Sequence, residues 1–163
     1  MLYEKYYAYG IGICYRYAYS KEEAVEILND SFLNVFNSID RYDPEKSFLP
    51  WFKKIIVRKA IDYYRRNKKY QHTRYLEDES VAIHETATLE KLQMEDLMTL
   101  LNELPKRYRL IFNLYELEGY SHDEIGEELG ISESTSRSDL SRAKQMLRIK
   151  YRDYYQEGYE QII

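Results

Sequence analysis

The sequence predicts an all-α protein of two small helical domains joined by a flexible acidic linker. Three observations predict it. Apolar residues recur at three- and four-residue spacing through the long segments, so helices rather than strands bury them. The punctuation also belongs to helices: Ser20, Ser47 and Ser121 stand where N-caps are needed, and Pro105, Gly119 and Gly130 where helices stop. The stretch YQHTRYLEDESVAIHETATLE, residues 70–90, loses this periodicity and carries the run Glu77, Asp78, Glu79, which reads as a linker. Domains are therefore expected at 1–69 and 91–155. A chain of 163 residues, 44% apolar, has enough material for two such cores.

The first helix is crowded by Tyr3, Tyr6, Tyr7, Tyr9, Tyr15, Tyr17 and Tyr19, expected as amphipathic core and rim residues. From Lys21 to Asp40 the residues Ala24, Val25, Leu28, Phe32, Val35, Phe36 and Ile39 define one buried stripe, with Ser20 as N-cap and Glu23 completing a capping box. Glu26, Asp30 and Asn37 line the opposite side, beside Asn29 and Leu33. That face is either simply solvated or docks a basic partner helix. After the turn RYDPEKS, Ser47 caps the next helix and Pro50 fits its first turn. This helix is expected to bury Phe52, Ile56, Ala60 and Tyr63, with Val57 and Tyr64 extending the stripe. Its other face aligns Trp51, Lys54, Arg58, Asp62 and Arg65. A ring heading a row of cations suits single-stranded nucleic acid, because phosphates follow the charges and an unpaired base stacks on the ring. A core Trp on an ordinary basic helix is the competing reading.

In the second domain, helices are expected over Leu89–Leu104 and Arg107–Glu118. The stretch YSHDEIGEELGISESTSRSDLSRAKQMLR, residues 120–148, then has the grammar of a helix-turn-helix. Ser121 caps a helix with Ile125, Gly126 and Leu129 inward, Gly130 permits the turn and Ile131 plugs the crease. The last helix has the inward stripe Ser136, Leu140, Ala143, Leu147 and Tyr151. Its outer face shows Ser134, Thr135, Ser138, Ser141, Arg142 and Gln145, short hydrogen-bonding groups and a long cation that reach base edges. Arg137, Lys144 and Arg148 flank it and suit phosphates.

Other function classes find little support. Cys14 alone forms no internal disulfide, and His72, His84 and His122 lack ligand spacing, so no metal or cofactor is expected. No phosphate loop, nucleophile elbow or HExxH occurs, which argues against an enzyme. The start MLYEKYYAYGIGICYRYAYS is interrupted by Glu4, Lys5 and Arg16, and no stretch approaches spanning length; a cytoplasmic protein without membrane insertion is expected. The net charge of −4 argues against nucleic acid, but its distribution does not. Cations exceed anions by seven over residues 41–70 and by four over 132–152, while anions exceed cations by six over 71–104.

Together the two halves resemble the sigma-70 family of bacterial transcription initiation factors, in particular the small extracytoplasmic-function (ECF) class that keeps only the second and fourth sigma domains. Three motifs carry the resemblance in the family's order: VEILNDSFLNVF (25–36), SFLPWFKKIIVRKAIDYYRR (47–66) and GYSHDEIGEELGISESTSRSDLSRA (119–143). The resemblance implies that 1–69 is a region 2 bundle and 91–155 a region 4 helix-turn-helix. It implies that Glu26, Asn29, Asp30, Phe32 and Leu33 dock on the clamp helices of the largest subunit of core RNA polymerase. Trp51, Lys54, Arg58 and Arg65 would open and hold the −10 promoter element, and the loop Tyr42 to Ser47, with Asp43, would capture a flipped base. Ser134, Thr135, Arg137, Ser138, Ser141 and Arg142 would read the −35 element. An anti-sigma factor is a typical further partner. The chain departs from the family pattern at Arg58 (commonly Asn), Gly126 (Ala), Ser136 (Val) and Asp139 (Arg or Lys). Ser136 is expected to weaken packing and Asp139 to remove a phosphate contact.

Such a factor needs a partner on energetic grounds. Opening five or six base-pair steps costs on the order of 7 kcal/mol or more, and stacking one base on an aromatic returns only ~1–3 kcal/mol. The alternatives are a stand-alone helix-turn-helix regulator using the second domain, and an interaction protein that masks polymerase.

Overall fold

The computed structural model describes the backbone of residues 1–71 and 89–160, and side chains over 1–68 and 96–153. Among the described residues seven α-helices run in the order α1 Leu2–Cys14, α2 Lys21–Ser38, α3 Phe48–Gln71, α4 Leu89–Asn102, α5 Lys106–Phe112, α6 His122–Leu129 and α7 Glu133–Glu160. They fall into two compact units, Met1–Val81 and Ala82–Ile163. Of the expected linker, residues 70–71 and 89–90 are helical and the rest lies outside the described residues. No described helix is long and apolar enough to cross a membrane.

In the first unit α1, α2 and α3 surround one core of Ile13, Cys14, Ala24, Ile27, Leu28, Phe32, Val35, Phe52, Ile56, Val57 and Ile61. Each large apolar side chain so buried contributes about 1.5–3 kcal/mol. Gly10 permits the close approach of α1: a Cβ there would stand 2.5 Å from Leu28 and 3.1 Å from the Phe52 ring. Burial without charge partners pushes the Cys14 thiol up to about 12, so it remains a protonated core group.

Several expectations need correction here. The α2 stripe includes Ile27 and Ser31, whereas Phe36 is 53% exposed and Ile39 also faces outward. Val35 is the last residue of α2 to be buried, and the 3-10 turn Ile39–Arg41 follows the helix. Ser20 does cap α2, accepting from the Glu23 N–H at 3.1 Å, but the Glu23 carboxylate reaches past the cap to the Tyr19 N–H at 2.9 Å. Tyr15, Tyr17 and Tyr19 follow α1 rather than belong to it. Tyr63 and Tyr64 are only half-buried, and Ile55 and Ile61 complete the α3 stripe instead.

The second unit packs Leu100 and Leu101 of α4, and Leu104 just after it, against Ala143 and Leu147 of α7, with Tyr108 and Phe112 of α5 alongside. The expected helix Arg107–Glu118 is α-helical only as far as Phe112. Asn113–Leu117 continue as a π-turn, with the Glu118 N–H donating five residues back to the Asn113 carbonyl. Gly119 then takes a left-handed φ of 76° and delivers the chain to Ser121. There the predicted Ser121 cap is present, and it forms a capping box: Ser121 Oγ accepts from the Glu124 N–H at 3.2 Å, and the Glu124 carboxylate accepts from the Ser121 N–H at 2.8 Å. The bonds that the carboxylate accepts from the Ser121 N–H and the Ser121 hydroxyl hold the Glu124 carboxyl below the usual carboxylate range.

The α6–α7 turn rests on two glycines for different reasons. Gly130 has φ 63°. Gly126 is needed for space, since a Cβ there would stand 2.8 Å from the Ile131 carbonyl oxygen, whose residue's N–H donates to Gly126 at 3.1 Å. Tyr151, expected inward, is 53% exposed because α7 has by then run past Leu147, the last apolar residue of its inward stripe to be buried.

Candidate nucleic-acid interface

On the first unit, α3 presents Trp51, Lys54, Arg58 and Arg65 on one face, as their spacing requires. Lys54 and Arg58 are exposed, and neither forms an ion pair among the described residues. Arg65 donates to Asp62 at 2.8 Å. Trp51 is half-buried in an aromatic corner, its ring centroid 4.9 Å from Tyr42 and 5.7 Å from Phe48. The indole is thus held by packing on two rings while part of it stays accessible, which makes a preorganised stacking surface. The loop before α3 is held by its own bonds. The Tyr42 hydroxyl donates to the Lys46 carbonyl, and the Asp43 carboxylate accepts from the Glu45 N–H at 3.1 Å and pairs with Lys46 at 3.5 Å. Ser47 is exposed beside it.

The α2 face divides into support and surface. Phe32, 2% exposed, lies in the core against Tyr3 and Phe52, so it shapes the face from beneath and presents almost none of its own surface. Glu26 and Asn29 are exposed, and Leu33 is 60% exposed. Asn29 accepts from the Tyr3 hydroxyl at 3.1 Å, and Asp30 pairs with Arg66 of α3.

On the second unit Ser132 caps α7, its Oγ accepting from the Thr135 N–H at 3.1 Å. Ser134, Arg137, Ser138, Ser141 and Arg142 are exposed and Thr135 is half-buried, so the outer face forms as expected. Its cations are largely pre-engaged. Arg137 pairs with Glu133, Lys144 lies 2.5 Å from Glu116, and a hydrogen bond to the Tyr108 hydroxyl pushes the Arg142 guanidinium above its ordinary range.

Two departures from the family pattern receive a physical explanation. Ser136 does not weaken packing through an idle hydroxyl: its Oγ and His122 Nδ1 share a buried hydrogen bond of 2.9 Å, and the His122 ring stacks on Tyr115 at 4.5 Å. Asp139 is not an unhelpful charge on the DNA face. It is buried on the flank toward α5, where its carboxylate accepts from Arg107 Nε at 2.6 Å and also from Nη2. Asp139 is thus buried rather than displayed on the outer face, and Arg107 neutralises it. Arg107, Tyr108 and His122 were not singled out from sequence as supports of this face. The polar residues at 136 and 139 were the available signal, since buried polar groups require partners.

His122 makes the second unit sensitive to acid. It is 9% exposed, and burial, together with the cations Arg137 and Lys144, lowers its pKa against an opposing pull from Glu133. A depressed folded-state pKa means that the associated stability is present above the unfolded value, about 6.5, and is lost as pH falls through the folded value. The second unit is therefore expected to lose stability as the pH falls below about 6.5, and His122→Asn to flatten that dependence. Amide exchange in α6 and α7 across this range is the measurement.

Residues 2–70 match the sigma-70 region 2 family and residues 94–147 the sigma-70 region 4 family. The chain is 30% identical over 138 residues to the RNA polymerase sigma factor SigV of Bacillus subtilis, covering 85% of this chain and 81% of that one. The chain belongs to the sigma-70 family. Within this family it falls in the ECF class: it is 26% identical over 153 residues to the ECF sigma factor SigW of B. subtilis, covering 86% and 82% of the two chains. Its fold is that of the sigma factor RpoE from Bartonella quintana, solved in complex with the anti-sigma factor NepR, with TM-score 0.59 and 20% identity over 87% of this chain and 89% of that one. This sigma-70 family member is thus a promoter-specificity factor for transcription initiation. A stand-alone regulator built on the helix-turn-helix is not favoured, because region 2 is matched along nearly its whole unit.

Proposed function

We propose that the two units divide promoter recognition between them, with boundaries near residues 69 and 91. Core RNA polymerase docks on the α2 face through Glu26, Asn29, Asp30 and Leu33, seated over Phe32, its largest subunit supplying the clamp helices. The −10 element is held as a single strand: Tyr42, Asp43 and Ser47 receive one base, Trp51 stacks another, and Lys54, Arg58 and Arg65 follow the phosphates. The −35 element is read as duplex by Ser134, Thr135, Ser138, Ser141 and Arg142, with Arg137 on the backbone. The sigma factor itself makes or breaks no covalent bond, works in the cytoplasm where polymerase is, and is held in reserve by an anti-sigma factor. The observation that supports this most is the pairing of a preorganised Trp51 with unpaired Lys54 and Arg58 on one helix face, since single-strand binding needs both ring and cations.

The net charge of −4 fits this scheme, because polymerase together with this chain, rather than the chain alone, is the species that meets DNA. The test is footprinting of polymerase carrying the Arg142→Ala variant. It is expected to weaken −35 protection by roughly 1–3 kcal/mol while relaxing specificity at one base position. An unchanged −35 footprint would remove Arg142 from base reading.

A further inference from the structure

A groove of about 500 Å3 in the first unit is lined by Asp30, Lys59, Asp62, Arg65 and Arg66. Three cations meet two carboxylates in it. Arg66 Nη2 lies 3.5 Å from Asp30 Oδ2, and Arg65 Nη2 lies 2.8 Å from Asp62 Oδ1. The Arg66 guanidinium also sits over the Tyr63 ring at 5.6 Å. Lys59 forms no ion pair among the described residues. Every lining side chain is charged, so the groove suits an ion rather than an apolar ligand. The excess of cations sets the sign of that ion as negative, and the forked guanidinium groups match phosphate oxygens.

Asp30 connects this groove to the docking face, because it projects from the same side of α2 as Glu26 and Leu33 while its carboxylate holds Arg66 of α3. One carboxylate therefore serves two surfaces. We propose that the groove is a gated phosphodiester site, in which a cation of docked polymerase takes Asp30 from Arg66 and the freed Arg66, with Lys59, binds the promoter backbone. The proposal rests on the docking reading of α2. The exchange is easy on physical grounds: the Arg66 and Asp30 side chains are 56% and 36% exposed at 3.5 Å, and exposed pairs of this kind contribute little. It also has a clear direction. Neutralising Asp30 from outside raises the net positive charge felt in the groove, so docking strengthens DNA binding and DNA, once bound, strengthens docking by the same factor.

The experiment uses the full chain without polymerase and a fluorescein-labelled single-stranded oligonucleotide. Asp30→Asn mimics a docked partner by removing the charge that holds Arg66. It is expected to tighten oligonucleotide binding about 3- to 10-fold and to steepen the salt dependence by about 0.7, the increment for one added phosphate contact. Glu127→Gln, the same charge change on exposed α6, controls for net charge and is expected to do much less. The gain is expected to vanish in the double variant Asp30→Asn with Arg66→Gln, and Asp30→Asn is expected to weaken binding to core polymerase. No gain beyond the Glu127→Gln control, or a gain that survives loss of Arg66, overturns the gate while leaving the docking reading intact. An Arg66-dependent gain with undiminished polymerase binding also overturns it, since the partner would then not be what releases Arg66. Failure of the unmodified chain to bind core would refute the docking reading, and the gate with it.

Discussion

Arg107→Ala is expected to destabilise the second unit by about 2–3 kcal/mol, more than Asp139→Ala does. The asymmetry follows from burial. The Asp139 side chain is 3% exposed and accepts from Arg107 Nε at 2.6 Å, while the Arg107 side chain is 38% exposed. Removing Arg107 leaves a carboxylate in the core without its counter-ion, which costs about 3–5 kcal/mol when both partners are buried and somewhat less where one retains water. Removing Asp139 leaves a guanidinium that solvent still reaches. The double variant should recover part of the loss, because neither charge is then stranded. Amide exchange of α5 and α7 in increasing urea measures all three. Strictly additive losses would mean that the pair is an ordinary surface contact.

Trp51→Ala is expected to slow promoter opening by roughly 5- to 150-fold, the rate equivalent of the ~1–3 kcal/mol that base stacking on an aromatic supplies. Closed-complex affinity should change far less, because the closed complex holds duplex and offers no unpaired base. Trp51 also packs on Tyr42 and Phe48, so its loss could act by loosening the loop at 42–47. Trp51→Phe separates the two causes: a ring remains to hold the corner and to stack, and opening should be largely retained. Permanganate reactivity of the bubble over time is the readout. Equal opening rates for the unmodified protein and Trp51→Ala would take Trp51 out of strand separation.

The helices of this fold were legible because apolar stripes recur along them, and Ser20 and Ser121 mark the starts of two of them. Ser121, Gly126 and Gly130 together specify the helix-turn-helix almost without tertiary information, since their roles are local: a cap, a close approach and a left-handed turn. Phe36 and Ile39 were misjudged because periodicity marks a stripe but not the point at which the neighbouring helix ends. The π-turn at Asn113–Leu117 has no signature in apolar spacing, as one shifted hydrogen bond changes the register without changing the residues. In the candidate site, the outer-face residues were readable and their supports were not. Ser136 and Asp139 looked like losses because their partners, His122 fourteen residues away and Arg107 thirty-two residues away, are brought in only by the packing of α5 and α6 on α7. The link between Asp30 and Arg66 is of the same kind: each belongs to a different recognisable motif, and only the α2–α3 packing joins them.

Run-off transcription from fragmented genomic DNA, with core polymerase in the presence and absence of this protein, tests the central claim most directly. The account predicts discrete new transcripts whose start sites share −35 and −10 sequences at constant spacing. Polymerase that binds the protein yet produces no new start site would contradict it and would point to a masking protein that has kept the sigma fold.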